Sequence, residues 1–302
     1  MKLSLPFFSP VPAAAAPATA QPRVLSESWQ VFLRNPSGLA GLFILGAIIA
    51  VALLAGVLFP GDPLDMVAEP LVWPFTQAEV LLGTDSLGRN VAAGLAHGAR
   101  VSLAVGAVAA FISVGIGIAV GAAAGYFGRR VDDFLVRVTE LFQTVPTFLF
   151  VIVIVAIGQP SVSVIVLAIG LAAWPVIARL VRAEFRWLRE SEFVQAARSQ
   201  GFSDARIIFQ EILPNALPPV IVTSSVLVAS AILIESALSF LGMGDPNQVS
   251  WGSMIGEGRE LLRTAWYLTA LPGCAIILSV LALNLLGNAL NDAFNPRLRG
   301  TR

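Results

Sequence analysis

Six stretches of the chain run almost free of charge: residues 39–59, 101–124, 141–157, 162–180, 216–241 and 266–289. Five approach or exceed the ~20 residues that cover ~30 Å of hydrocarbon at ~1.5 Å per residue. The third is weaker, because its uninterrupted apolar part begins at Pro146 and Gln143 and Thr144 lie at its edge. Open strand edges cannot survive in hydrocarbon, so this pattern predicts an all-α integral membrane bundle. Within the second stretch Gly117, Gly121 and Gly125 recur every fourth residue and share one helix face. Small residues there let two helices approach closely, and generic packing is a better reading than a homodimer seam.

Composition agrees with a membrane rather than water as the solvent. Of 302 residues 56% are apolar and 13% charged, against roughly a quarter charged in soluble domains. The net charge of zero gives no footprint for nucleic acid. The single cysteine, Cys274, lies in an apolar run and excludes any disulfide within the chain; it reads as a small core hydrophobe. Residues 1–22 are rich in proline and alanine, and the prolines deny the ~7–15 consecutive apolar residues of a secretory signal. This segment reads as a disordered tail.

Basic residues decide between five and six crossings, since cytoplasmic loops accumulate Lys and Arg. With six crossings and the N-terminus inside, 15 of the 19 fall on the inner side, leaving Arg89, Arg100, Arg259 and Arg263 outside. Making the third stretch a re-entrant piece turns the split into 8 inside and 11 outside. Six crossings follow. The outer loops are then 60–100, a turn at 158–161, and 242–265; the inner loops are 126–140 and a long 179–215.

Catalytic chemistry has little to stand on. A phosphate loop needs a lysine at the terminal phosphates, and the only lysine is Lys2. The only histidine, His97, sits between Gly94 and Gly98 on the outer side and reads as structural. No His-based metal cluster or His-assisted nucleophile can be assembled. The expectation is no catalytic residue, no metal and no cofactor in this chain. Glu235, inside the fifth stretch, is the one deep carboxylate. Such a group costs about 2.5–3.5 kcal/mol to insert and needs a partner or a cavity. A carboxyl hydrogen-bonded inside the bundle near its outer end is favoured over a proton relay, because a relay needs further ionisable groups in series.

The long inner loop carries the clearest design. Glu190, Ser191 and Glu192 favour a helix start. Ala196 and Ala197 offer a small flat surface, and Gly201 ends the helix in a left-handed conformation. Ser203 and Asp204 start a second short helix that closes before Pro214. A helix, a glycine turn and a helix on the inner face suit docking into a groove of another protein. Asp132, Asp133 and Arg137 lie on an interfacial helix and read as a solvated face.

At these positions the sequence resembles the permeases of binding-protein-dependent, ATP-driven importers, whose signature is Glu-Ala-Ala, three residues, Gly, then a distal Leu-Pro. Ala196, Ala197, Gly201, Leu213 and Pro214 match it, while Gln195 stands at the glutamate position. The segment Gly83, Thr84, Asp85, Gly88, Arg89 with Asn90 is similar to that following the first span of second-type peptide and nickel permeases, Asn90 replacing the usual aspartate. So are 98–103, 124–128, 212–216, 237–242, Trp251-Gly252 and the ending 292–299. The resemblance implies a type I ABC importer permease fold with six transmembrane helices, one of them an extra N-terminal span. It implies a plan of cytoplasmic tail 1–35, first span and extracytoplasmic loop 36–98, transporter core 99–290 and cytoplasmic tail 291–302. It also implies partners: a related first-type permease, two ATPase domains that bind ATP and magnesium, an extracytoplasmic substrate-binding protein, and the lipid bilayer. Glu192 to Pro214 would be the ATPase-coupling loop. A secondary transporter would leave that helix pair unemployed, and a membrane hydrolase would need more than the isolated Glu235.

Overall fold

The computed structural model describes residues 31–294. Among these, helices carry the fold, and β pairing is confined to the isolated bridges Met66–Arg89 and Thr84–Asn90. Helix α1 spans Pro36–Leu58, with the Asn35 side chain accepting from the amides of Ser37 and Gly38 and a proline at the first turn. A cap of loop and short turns follows. Asn90 then starts α2, Val91–Phe127, accepting from the amides of Ala92 and Ala93. An asparagine in place of an aspartate therefore still caps.

Helices α3 (Arg129–Thr144) and α4 (Thr147–Gly158) meet at a 79° bend. Its cause is Pro146, which forces the preceding Val145 into an extended conformation, φ −96° and ψ 129°. The third apolar stretch is thus divided. Residues 141–144 belong to the amphipathic α3, and only the 12 residues of α4 remain to cross, about 18 Å of helix. Among the described residues five helices are long and apolar enough to cross a membrane, six if the bent pair counts as one.

Helix α5 (Val162–Arg189) runs beside α2 in the same direction, and the glycine face closes the seam between them. A Cβ at Gly121 would stand 2.5 Å from the Ala178 carbonyl oxygen and 2.8 Å from the Val181 Cβ. The expected packing role of Gly117, Gly121 and Gly125 is what the structure contains.

After the short α6 (Glu192–Ser199), α7 runs unbroken over Asp204–Phe240. The expected stop before Pro214 does not occur. The turns at Ile207–Ile212 widen to π geometry, Leu213 donating to the Ile208 carbonyl, just before the proline that has no N–H to donate. Helix α8 (Trp251–Gly258) and the 28-residue α9 (Tyr267–Phe294) complete the bundle.

The helices define two ends. One carries the cap 59–90, the α4–α5 turn, and 241–266 with α8; His97 Nε2 lies 3.1 Å from the Phe59 carbonyl there, the structural role expected of it. The other end carries α3, α6 and the start of α7. Two smaller expectations fail. Cys274 is exposed on the perimeter of the chain rather than in its core. The segment 60–100 is loop only to Asn90, its last ten residues being the first turns of α2. The reading of residues 1–22 and the matches at 295–299 lie outside the described residues.

Candidate functional site

The Gly201 end is folded. Helix α6 closes with Gly201 at φ +79°, its amide donating to the Arg198 carbonyl at 2.9 Å and that of Phe202 to Ala197 at 3.1 Å. These two bonds satisfy orphan carbonyls, and the left-handed residue is the glycine itself. Glu192 sits in the first turn of α6. Gln195 folds back, donating to the Glu190 carbonyl at 3.0 Å.

The expected flat Ala196–Ala197 surface is half right. Ala196 is exposed, whereas Ala197 and Val194 face inward, packed with Phe185, Leu188, Ile207 and Ile212. Leu213 is half-buried and Pro214 exposed. Tyr126 at the end of α2 organises this end. Its hydroxyl donates to Asp204 Oδ1 at 2.6 Å, its carbonyl accepts from Arg189, and Arg198 lies over its ring at 5.7 Å. Phe193 and Phe209 remain 41% and 66% exposed beside the turn. Asp132, expected on a solvated face, instead grips Arg182 through both carboxylate oxygens at 2.5 and 2.7 Å.

The opposite end is a second constructed region. Thr84 is fully buried, donating to the Glu69 carbonyl at 2.6 Å and accepting from the Val72 amide at 2.9 Å. The Tyr267 hydroxyl reaches the Thr84 carbonyl at 2.8 Å, pinning the cap to α9. Asp85 Oδ1 accepts from the amides of Leu87 and Arg89, and the turns at Gly83 and Gly88 have φ +80° and +83°. The motif Gly83, Thr84, Asp85, Gly88, Arg89 is therefore one compact loop that delivers Arg89 to the start of α2. Arg89 Nη1 lies 3.5 Å from Glu257 Oε2 and 3.9 Å from Asp85 Oδ2, beside a cavity of about 380 Å³. Burial pushes the Glu257 carboxyl above the ordinary glutamate range; Arg89 opposes the shift and Asp85 adds to it. Sequence reasoning missed Glu257, since no local pattern marks a surface glutamate 168 residues from its arginine.

Between the two ends Glu235 is held by serines. It accepts from Ser239 at 2.7 Å, Ser102 at 3.3 Å and Ser236 at 3.4 Å, and Ser102 in turn accepts from the Trp251 amide. The expected hydrogen-bonded carboxyl is present. It joins α2 and α7 and anchors the first turn of α8.

The family profile described as the binding-protein-dependent transport system inner membrane component matches residues 115–300, and that of the N-terminal transmembrane domain of oligopeptide transport permease C matches 24–80. The chain belongs to this family of inner-membrane transport components. It is 37% identical to the di/tripeptide transport system permease of Pseudomonas aeruginosa over 95% of this chain and 96% of the relative. A putative peptide transport system permease of Brucella abortus is 40% identical over 88% and 90%. The dipeptide transport system permease of Haemophilus influenzae is 33% identical over 94% and 98%. In solved structures the fold matches a chain of the MetNI methionine ABC transporter, captured inward-facing. The TM-score is 0.55 at 16% identity, with 67% of this chain and 96% of that chain covered. That likeness concerns the fold alone. The permease is multi-pass, helical among the described residues, and of the type I importer architecture.

Proposed function

We propose that this permease forms, with a related first-type permease, the path by which an ABC importer carries di- or oligopeptides. On this reading two ATPase domains grip the Glu192–Pro214 region, and an extracytoplasmic binding protein delivers cargo at the Arg89 end. The peptide-permease relatives supply the cargo class. The single observation that carries the reading is the α6–Gly201–α7 feature. It is folded, too polar for lipid, and set at the end holding Arg129, Arg130, Arg186, Arg189, Arg198 and Arg206. Lys and Arg accumulate on the cytoplasmic side, so this end and both termini face the cytoplasm.

Exposed Phe193 and Phe209 flanking the turn supply apolar anchors of the kind that protein grooves accept. Hydrolysis belongs to the partner subunits, which hold ATP and magnesium, and this chain contributes no catalytic group. Closure of the ATPases would draw the turn inward, and the helices welded to it would carry that displacement to the far end. Coupling is reciprocal, so cargo delivered outside raises ATP turnover inside.

The test is Gly201→Trp in the assembled transporter. The turn has open space around it, so the substitution should leave membrane insertion intact while abolishing peptide uptake and cargo-stimulated ATP hydrolysis. Wild-type uptake in that variant overturns the proposed coupling role.

A further inference from the structure

The cavity at the Arg89 end is lined by the cap loop, the end of α7 and helix α8. Its volume of about 380 Å³ falls among small-molecule sites, which run roughly 300–1,000 Å³. Most charged groups on its wall already hold the protein together. Asp85 caps its own loop, and Asp245 accepts from the amides of Val162 and Asn247. Arg259 donates to the Phe240 carbonyl and lies over the Phe240 ring.

Arg89 differs. Its Nε is buried and has no hydrogen-bond partner among the described residues, and its Nη1 meets Glu257 only at 3.5 Å. The two Nη atoms of a guanidinium match a carboxylate with two parallel bonds. A buried Nε left without a partner is costly to hold, while the side chain as a whole stays 21% exposed on the cavity wall.

We propose that Arg89 and Glu257 form a cargo subsite at the extracytoplasmic mouth, Arg89 taking the C-terminal carboxylate of a short peptide and Glu257 its ammonium. The inference rests on the peptide-importer reading above. Charge favours a zwitterion. The site already holds one cation and one anion, so a ligand bearing both signs replaces their long mutual contact without leaving a charge unpaired. The pairing at 3.5 Å is loose enough to exchange. Leu241, Val249, Met254 and Leu268 add apolar patches to a wall that also carries Gln248 and Ser253. The Met254 thioether adapts to varied shapes. Such a wall reads the two ends of a peptide and tolerates its side chains, as an importer of mixed peptides requires.

The purified transporter, with both permeases and the ATPases but without the binding protein, is titrated with trialanine, trialanine amide and N-acetyl-trialanine. Wild type should bind trialanine about tenfold more tightly than either blocked form. Arg89→Gln should weaken trialanine about tenfold and leave the amide unchanged. Arg89→Lys, which keeps the charge without the fork, should fall between. Glu257→Gln changes a half-exposed side chain and should erase only the preference over the N-acetyl form. Equal weakening of acid and amide by Arg89→Gln, or wild-type binding blind to both blocking groups, overturns the subsite. Trialanine uptake by the complete wild-type system separates the two readings. Uptake with a blind cavity sinks the subsite alone, and no uptake of any free peptide sinks both.

Discussion

The Tyr126 hydroxyl donates to Asp204 at 2.6 Å, joining the last turn of α2 to the first turn of α7. These residues are 78 apart in sequence. Between them lie α3, α4, α5, α6 and the Gly201 turn, so a single bond closes the base of that end. Removing it with Tyr126→Phe should loosen that end without touching the apolar seam. We expect a loss of about 0.5–1.5 kcal/mol, read as faster proteolysis between Gln200 and Asp204 with little change in global thermal stability.

Gly201 tests backbone conformation separately from docking contact. At φ +79° a β-branched side chain is strained by about 1–2 kcal/mol, while asparagine tolerates the left-handed region. Gly201→Val should therefore reduce cargo-stimulated ATP hydrolysis strongly and Gly201→Asn only mildly. Equal losses would mean that surface, not conformation, matters at this position.

Gly121 has no room for a side chain. Gly121→Leu should drive the α2–α5 seam apart at a cost of about 1–3 kcal/mol or more, seen as a lower melting temperature of the detergent-solubilised complex. Gly115, whose added Cβ would meet nothing within 4 Å, should accept the same change.

Glu235 holds three serine hydroxyls and, through Ser102, the start of α8. Glu235→Gln preserves an acceptor and should be mild. Glu235→Leu leaves the hydroxyls unpaired at about 1–3 kcal/mol and should release the 242–266 segment to protease.

Glu257 gives a pH dependence with a definite sign. Its raised pKa, set first by burial, means that it gains a proton on mild acidification before an ordinary glutamate would. The neutral acid cannot hold an ammonium. Trialanine affinity should therefore weaken as pH falls from neutrality through that raised range, and N-acetyl-trialanine affinity should not. Glu257→Gln should flatten the difference.

Hydropathy made the membrane bundle legible, because it follows from local composition, whereas Pro146 leaves the arginine-based choice of six crossings between five and six. The loop conformation at Gly201 was readable for the same reason: only one residue type occupies that backbone region without strain. What escaped was set by partners distant in sequence. Pro214 signals a helix end, yet a widened turn at Ile207–Ile212 carries α7 past it, and nothing local announces that accommodation. Asp132 looks solvated until α5 brings Arg182 across 50 residues. Ala197 looks like docking surface until α6 is seen lying on Phe185 and Ile212. The family resemblance located the Arg89 loop, but the orphan Nε and Glu257 emerged only from packing.

The glycine seam has a mechanical corollary. Helix α6 follows α5 by only Glu190 and Ser191, and α5 interlocks with α2 along three turns where neither can slide past the other's backbone. Helix α2 begins at Val91, directly after Arg89 and the capping Asn90. A push at Glu192 thus meets no shear plane before it reaches the guanidinium about 55 Å away. On the proposed coupling, the pair would act as one beam with a foot in each compartment, each foot answering to the other.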